Sequence, residues 1–387
     1  MRYHKYAIII TLIAIALTLA PVIGSTEASH ENIPQDLPWY FIAVFGDNRH
    51  PDVYAVEYPE VYYKIISEIK VSNPFAVIGT GDHTGKGLKS QIDKFLKSLD
   101  DLQNVYVIMG NHDLNPETIS YWYEQVSKGM YYVDAIPGWR VILVDYYHTE
   151  VLGSDALSFI ENSSKTERSK ILVVHTPIEP WLDHNMPEPL RTQLRNLIAE
   201  KGFKLVLQGH WHGYADVSVN GTRYLVVGGG GAPLYEHENG IGKYCYAFLV
   251  LWPNGSYEVL SIDPIAGYVK ISKNNTSIKI ENTKLSVYGT PTEFPLRVKV
   301  GNLYVVLLAP HGVSYVNFTG ENITVSGNVR LWYSYEAPKE PTETPSVTPE
   351  VPSEHEALEY KELALILAAV VVLIAFIEVL TRLRRRM

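Results

Sequence analysis

The chain has 387 residues, a hydrophobic content of 46% and a formal net charge of −9. This is a globular composition with room for one large domain and a smaller companion. The acidic balance argues against a dedicated nucleic-acid binder, which would cluster Lys and Arg against phosphates. The single cysteine, Cys245, excludes an internal disulfide and reads as a small buried apolar residue.

Residues 1–28 open with Arg2 and Lys5, continue through an uncharged apolar stretch and end in Ser25-Thr26-Glu27-Ala28. This is the layout of a secretory signal peptide, or of an N-terminal anchor if it stays uncleaved. From 39 to 265, short apolar runs alternate with amphipathic stretches. Strands are predicted at 40–45, 75–78, 105–109, 140–144, 171–174, 204–207, 224–227 and 246–251. Leu88, Ile92, Phe95, Leu96 and Leu99 fall at helical spacing, as do Leu190, Leu194 and Leu197. Such alternation predicts an α/β unit with its helices outside the sheets.

The segment 266–335 turns, from about Asn282, to a period of two, as in Leu285/Val287 and Leu296/Val298/Val300. With turns at Gly301-Asn302, Gly320-Glu321 and Gly327-Asn328, it reads as a small all-β module. Residues 336–357 are rich in Pro, Thr, Ser and Glu and cannot bury a core, which predicts an extended stalk. Residues 363–380 are apolar except for Glu378, and 381–387 carry Arg382, Arg384, Arg385 and Arg386. That is a transmembrane helix with a basic cytoplasmic tail. Both ends put the bulk of the chain outside the cytoplasm, on a cell membrane crossed once, or twice if the N-terminal segment is retained. Asn-X-Ser/Thr sequons at Asn162, Asn220, Asn254, Asn274, Asn275, Asn317 and Asn322 suit an exported glycoprotein.

Five segments put metal-binding groups at or just after a predicted strand end. They are Gly46-Asp47-Asn48-Arg49-His50, Gly81-Asp82-His83, Gly110-Asn111-His112-Asp113, His175-Thr176-Pro177 and Gly209-His210-Trp211-His212. The third presents an amide oxygen, an imidazole and a carboxylate in consecutive positions, where α/β folds build their sites. A glycine precedes Asp47, Asp82, Asn111 and His210, allowing the sharp turn and close backbone approach that bring strand ends to one centre. Alone, each segment reads equally well as a polar turn, a surface histidine or a helix cap. Together they point to two metal ions sharing a carboxylate. Oxygen and imidazole donors without thiolate suit Mn, Fe, Zn or Co.

These segments resemble the calcineurin-like metallophosphoesterase superfamily, which includes purple acid phosphatases and many phosphodiesterases. The resemblance runs from about Phe41 to Gly213, and Gly-Asn-His-Asp with Gly-His-X-His are its specific parts. It implies a four-layer α/β core, two facing mixed β-sheets flanked by helices, to which this chain adds the C-terminal β module and membrane helix. It implies that Asp82 bridges two divalent or trivalent metals, with Asp47 and His212 on the first and Asn111, His175 and His210 on the second. His112 would be the catalytic histidine at the leaving-group oxygen, and Asp113 would orient it. A metal-bound hydroxide would attack a phosphomono- or phosphodiester.

One position departs from the pattern. The family commonly has Asp-X-His in the first segment, and here the third residue is Arg49, permanently charged and unable to ligate a metal. Purple acid phosphatases place a tyrosine three residues after the second aspartate, where this chain has Gly85. The first metal then lacks a protein ligand, takes one from His50 or His83, or takes water. Arg49 itself reads as a substrate-phosphate binder, its planar fork suited to that task, against the alternative of an arginine turned to solvent. The glycines 228–231 form either a loop near the site or a bare connection. Trp139, Tyr146, Tyr147 and Trp181 line a cleft or pack in the core, while His148 and His184 receive no role. Two functions follow: an external, membrane-anchored hydrolase of phosphate esters, nucleic acid included as an open substrate, or a non-catalytic cell-surface binding glycoprotein that keeps the fold. The full set Asp47, Asp82, Asn111, His112, Asp113, His175, His210 and His212 favours the enzyme.

Overall fold

Strand β1 (Tyr40–Phe45) divides its side chains between two apolar clusters, Phe41, Ala43 and Phe45 on one face and Ile42 and Val44 on the other. A run apolar at every position, with period-two geometry, must be covered on both faces. The computed structural model describes residues 40–334 apart from 301–302 and 320–321. The signal or anchor expected at 1–28, the stalk at 336–357, the transmembrane helix at 363–380 and the tail at 381–387 lie outside the described residues. Among the described residues, no helix is long and apolar enough to cross a membrane.

β1 is the middle strand of a five-stranded mixed sheet. It runs parallel to β2 (Ala76–Gly79), which runs parallel to β3 (Val105–Val107). On its other side lie antiparallel β10 (Tyr246–Leu251) and then β11 (Tyr257–Ile262). The second sheet has the order β4 (Met130–Val133), β5 (Trp139–Val144), β6 (Ser169–Val173), β7 (Leu205–Gln208), β9 (Thr222–Val227) and β8 (Tyr214–Val219). Its four inner strands are parallel and its two edge strands antiparallel. Ile42, Val44 and Ile78 of the first sheet meet Val141, Ile171, Leu205 and Leu225 of the second in one core between them.

Helices cover the outer faces. Helix α1 (Glu60–Ser72) buries Val61, Tyr62, Ile65, Ile66 and Ile69 and ends at Asn73, which takes the left-handed conformation common at helix C-termini. Phe95 of α2 (Lys89–Ser98) joins the same cluster, and α3 (Ile119–Gln125) adds Trp122 nearby. On the far side, α4 (Ser154–Ser163) and α5 (Leu190–Lys201) place Ala156, Ile160, Leu194 and Ile198 on Ile142, Leu172 and Val206.

The flank of the first sheet is more than helices. The C-terminal β module contains two antiparallel sheets. One has the order β12 (Val269–Lys273), β13 (Ser277–Asn282), β16 (Gly312–Thr319) and β17 (Asn322–Ser326). The other has the order β14 (Phe294–Val300), β15 (Leu303–Ala309) and β18 (Arg330–Ser334). Ile278, Ile280, Leu296, Val305 and Val316 of this module share a core with Phe41, Phe248 and α1. A polar clamp fixes the junction. The fully buried Lys284 ammonium sits 2.8 Å from Glu68 of α1, and Tyr246 donates its hydroxyl to the other Glu68 oxygen at 2.6 Å. Arg297 donates to the Asn73 and Pro74 carbonyls, closing the end of α1.

Removing one member of a buried ion pair leaves the other desolvated and uncompensated. Lys284→Met should therefore lower unfolding stability by about 3 kcal/mol, read as a drop in the urea midpoint with little change in slope.

Candidate metal centre

Strand register sets the geometry of the site. Phe45 pairs with Gly79 and Gly79 with Val107, so the loops after β1, β2 and β3 leave the first sheet level with one another. In the second sheet Val173 pairs with Leu207, which brings His175 and the segment 209–212 to the same edge. Main-chain bonds join the loops: the Asp47 amide donates to Gly81 at 2.9 Å and the Gly209 amide to the His175 carbonyl at 2.8 Å. Two glycines show how tight the convergence is. A Cβ on Gly110 would stand 2.3 Å from an Asp82 carboxylate oxygen, and one on Gly209 would stand 2.6 Å from Asp47. Asp47, Asp82 and His210 themselves take positive φ, of 53°, 54° and 63°. Non-glycine residues rarely adopt this conformation, and it concentrates at functional sites.

Two clusters of donors result, and they share one residue. Asp47, Asp82 and His212 form the first and Asp82, His175 and His210 the second, each with ligand atoms within 4.8 Å of one another. The Asn111 side-chain oxygen lies 3.1 Å from His175 Nε2, beside the second cluster. The structure thus gathers all six residues expected to hold metal, with Asp82 common to both groups. Backbone carbonyls aim two of the imidazoles. His175 Nδ1 is 2.8 Å from the Thr80 carbonyl and His212 Nδ1 is 2.6 Å from that of Pro233. A carbonyl only accepts, so each Nδ1 carries its proton and each Nε2 keeps a lone pair. Those Nε2 atoms lie 3.3 Å from Asp82 and 3.7 Å from Asp47.

Electrostatics fit a cation. Burial keeps His210 down at about 3 and His212 down at about 4, so both are neutral donors near pH 7. Burial also lowers His175. Burial, followed by the charge of Asp82, raises Asp47 well above the usual carboxylate range. Burial alone would raise Asp82 too, but the surrounding His175, His112 and His210 bring it to about 2. One Asp82 oxygen, Oδ2, is buried without a hydrogen-bond partner. An orphaned carboxylate oxygen among neutral imidazoles is an arrangement that a divalent ion completes.

The remaining expected residues fall less uniformly. The His112 ring nitrogen Nδ1 lies 3.0 Å from the Gly85 carbonyl, which orients the imidazole, and its backbone amide donates to Asp82 at 2.9 Å. Asp113 does not orient it. The Asp113 carboxylate accepts from the amides of Gly110, His83 and Thr84 and from the Thr84 hydroxyl, at 2.7–3.2 Å. It is a positioning residue that ties the second loop to the third, a role its place beside His112 does not reveal. Burial and Asp82 push its carboxyl up to about 7, against the pull of those donors.

Neither His50 nor His83 joins a cluster. His83 stacks on Phe95 with ring centroids 4.4 Å apart, and both its nitrogens are engaged, one by Asn48 Oδ1 and the other by the Gly81 amide. His50 Nδ1 accepts from the Asp52 amide. A tyrosine could not stand at Gly85, where a Cβ would meet the Val53 carbonyl at 2.1 Å. Arg49 is not turned to solvent: it is 7% exposed, its Nε lies 3.7 Å from Asp82 Oδ2, and that Nε has no hydrogen-bond partner.

The glycines 228–231 do approach the site. A Cβ on Gly228 would come 3.0 Å from Asp47, and the Gly230 amide donates to Gly46. Tyr235, just beyond them, stacks on His212 with centroids 4.2 Å apart, and His184 packs against both Tyr235 and His210. Tyr146 sets its ring edge against His175 at 6.1 Å. Trp139 is core, Tyr147 packs near Trp122, Trp181 is exposed under the Arg191 guanidinium, and His148 pairs with Asp145.

Residues 42–214 match a protein-family model described as calcineurin-like phosphoesterase. No curated protein matches the chain by sequence. Among solved structures, the chain is similar to GAP50, the anchor in the inner membrane complex of Plasmodium, with 12% identity and a TM-score of 0.46 over 59% of this chain and 86% of that one. It is similar to purple acid phosphatase PPD1 from yellow lupin seeds, with 17% identity and a TM-score of 0.45 over 63% of this chain and 51% of that one. A putative 5'-nucleotidase from Staphylococcus aureus gives 12% identity and a TM-score of 0.38, over 58% and 53%.

An imidazole whose folded pKa lies below its unfolded 6.5 takes up its proton first in the unfolded chain, so acid favours unfolding. His83, His175, His210 and His212 all act this way, while the protons retained by Asp47 and Asp113 offset part of the effect. The metal-free protein should therefore lose thermal stability as pH falls from 6.5 towards 4, with a lower Tm at pH 4.5 than at pH 7 by calorimetry.

Proposed function

Since residues 42–214 belong to the calcineurin-like phosphoesterase superfamily, we propose that this chain is a metal-dependent hydrolase of phosphomono- or phosphodiesters. The observation that carries the reading is the pair of donor clusters sharing Asp82, with neutral imidazoles on both sides and an unpartnered carboxylate oxygen between them. Asp47, Asp82 and His212 would hold one metal, and Asp82, Asn111, His175 and His210 the other. When bound, such a pair supplies Lewis acidity to the phosphoryl oxygens and activates water near neutral pH.

The protein's own groups do the rest. His112 is held through Nδ1–H by the Gly85 carbonyl, which leaves Nε2 free to take up a proton and, as the imidazolium, to pass it to the oxygen that departs from phosphorus. Asp113 keeps that segment in place through the loop it braces. Arg49 brings a buried guanidinium with an unsatisfied Nε to the edge of the first cluster, where it would donate to a phosphate oxygen. Tyr235 and Tyr146 flank the site, one against His212 and one against His175.

The site is proposed to face away from the cytoplasm, on a chain exported by the segment 1–28 and anchored by 363–380. In support, the sequon asparagines 162, 220, 254, 274, 275 and 317 are all exposed. A non-catalytic binding glycoprotein of the same fold would bind metal without turnover.

The deciding experiment loads the protein with Mn²⁺ and measures hydrolysis of p-nitrophenyl phosphate and its bis ester, with and without chelator. Turnover that chelator abolishes is expected, and metal binding without turnover on a broad ester panel would favour the binding protein. His112→Ala should lower kcat by about 100-fold with metal content unchanged by elemental analysis. Loss of metal in that variant would contradict its assigned role.

A further inference from the structure

We infer that the two metal positions are unequal, and that the buried Arg49 guanidinium makes them so: the position formed by Asp82, Asn111, His175 and His210 fills first, and the position formed by Asp47, Asp82 and His212 fills only together with a phosphate anion. The inference rests on the metal-centre reading above and goes further, to the order and the condition of filling.

Arg49 lies 3.7 Å from Asp82 Oδ2, the oxygen that has no hydrogen-bond partner. Its backbone is fixed there too, since its amide donates to the Asp82 carbonyl at 3.3 Å. The guanidinium cannot withdraw into solvent from a position only 7% exposed, and it cannot lose its proton. A permanent positive charge thus stands within contact range of the carboxylate that a first-position metal must use. In a buried site, such a charge repels a divalent ion far more strongly than it would in water. The second cluster meets Asp82 through its other oxygen: His175 Nε2 and the His112 amide both approach Oδ1. The repulsion therefore falls mainly on the first position.

Charge balance points the same way. The two donor clusters contain two carboxylates, Asp47 and Asp82, and the remaining members are neutral. One divalent ion matches those two carboxylates, and Arg49 already leaves the centre positive. A further divalent ion in the first position adds to an unpaid excess of positive charge unless an anion arrives with it. A phosphate group satisfies both cations at once: its oxygens fit the guanidinium fork and a metal. Phosphate and the first-position metal should then each raise the other's affinity by the same factor.

The test titrates the full chain, stripped of metal, with Mn²⁺ by calorimetry and electron paramagnetic resonance. Wild type should bind one Mn²⁺ tightly and a second at least about tenfold more weakly. Inorganic phosphate should tighten the second step by about tenfold and bring in the spin-coupled signal of a paired centre. Arg49→Met removes the charge without adding a ligand, and should give two tight sites and the coupled signal without phosphate. Arg49→His should do the same. His212→Ala should lose only the weak step, whereas His210→Ala should weaken the tight one.

Two equal sites in wild type would overturn the inference, as would an Arg49→Met titration identical to wild type. If Arg49→His alone tightens the second step, a missing ligand and not the charge sets the asymmetry, and the inference fails. Its fate is separate from that of the proposed activity: a two-step titration in a protein without turnover sinks the hydrolase and leaves the unequal centre standing.

Discussion

The constraint on which the rest of the structure depends is the burial of two carboxylates, Asp47 and Asp82, in one small space. Both are fully buried. Desolvating a carboxylate is costly unless something charged or strongly hydrogen-bonding replaces the water. The protein replaces part of it. The His210 amide donates to both Asp47 oxygens and the His112 amide to one oxygen of Asp82. It stops short of replacing all of it, since Asp82 Oδ2 meets only the Arg49 Nε at 3.7 Å. A fold that brings five loops together, holds three non-glycine residues at positive φ and leaves a buried carboxylate oxygen without a hydrogen-bond partner concentrates unused acceptor capacity at one point. The helices, the inter-sheet core and the strand register serve to keep that arrangement rigid.

Much of this was legible in the sequence, because buried parallel strands and metal donors both leave strong local marks. The predicted strands at 40–45 and 246–251 coincide with β1 and β10, and the six candidate ligands come together as expected. The edge strands of the second sheet were not legible. β4 reads Met-Tyr-Tyr-Val and β8 is broken by Asp216 and Ser218, so neither shows the continuous apolar run of an inner strand. β12 and β13 carry Lys270, Ser272, Lys279 and Glu281 on their more open faces and sit amid sequons, which disguises their period. Roles that depend on which loop lies opposite were also hidden. Adjacency suggested that Asp113 serves His112, yet its partners come from residues 83–84 and 110, while the carbonyl that holds His112 belongs to Gly85. The carbonyls of Thr80 and Pro233, which aim two imidazoles, carry no side-chain signal at all.

The β module changes meaning once its contacts are known. From sequence it reads only as a small all-β module between the α/β unit and a stalk. In the structure its apolar strands share a core with α1 and the outer face of the first sheet, and Lys284 is buried against Glu68. The same sheet carries Asp47 and Asp82 just beyond its strand ends. The family match ends at residue 214, but β10 and β11, which complete that sheet, and the module that covers it come later in the chain. The later half is therefore part of what holds the donor cluster of Asp47, Asp82 and His212 in place.

Arg49 is where the sequence's departure from the family pattern it resembles and the structure's atoms without hydrogen-bond partners coincide. A histidine there would add a neutral donor to the first cluster; an arginine instead adds a charge of the same sign as the metal. That exchange is not explained by solvent exposure, because the residue is buried, nor by a hydrogen bond to Asp82, because the Nε–Oδ2 ion-pair distance of 3.7 Å is too long for one. Nor is another histidine available to repair the loss: His83 is locked into an aromatic stack with Phe95 and Trp122, and its nitrogens are engaged elsewhere. A buried guanidinium with unused hydrogen-bonding capacity beside a carboxylate with an unused oxygen offers one partner for an anion and one for a cation. The departure from the family pattern thus reads as a change in how the centre is filled, and the two carboxylates that anchor it remain in place.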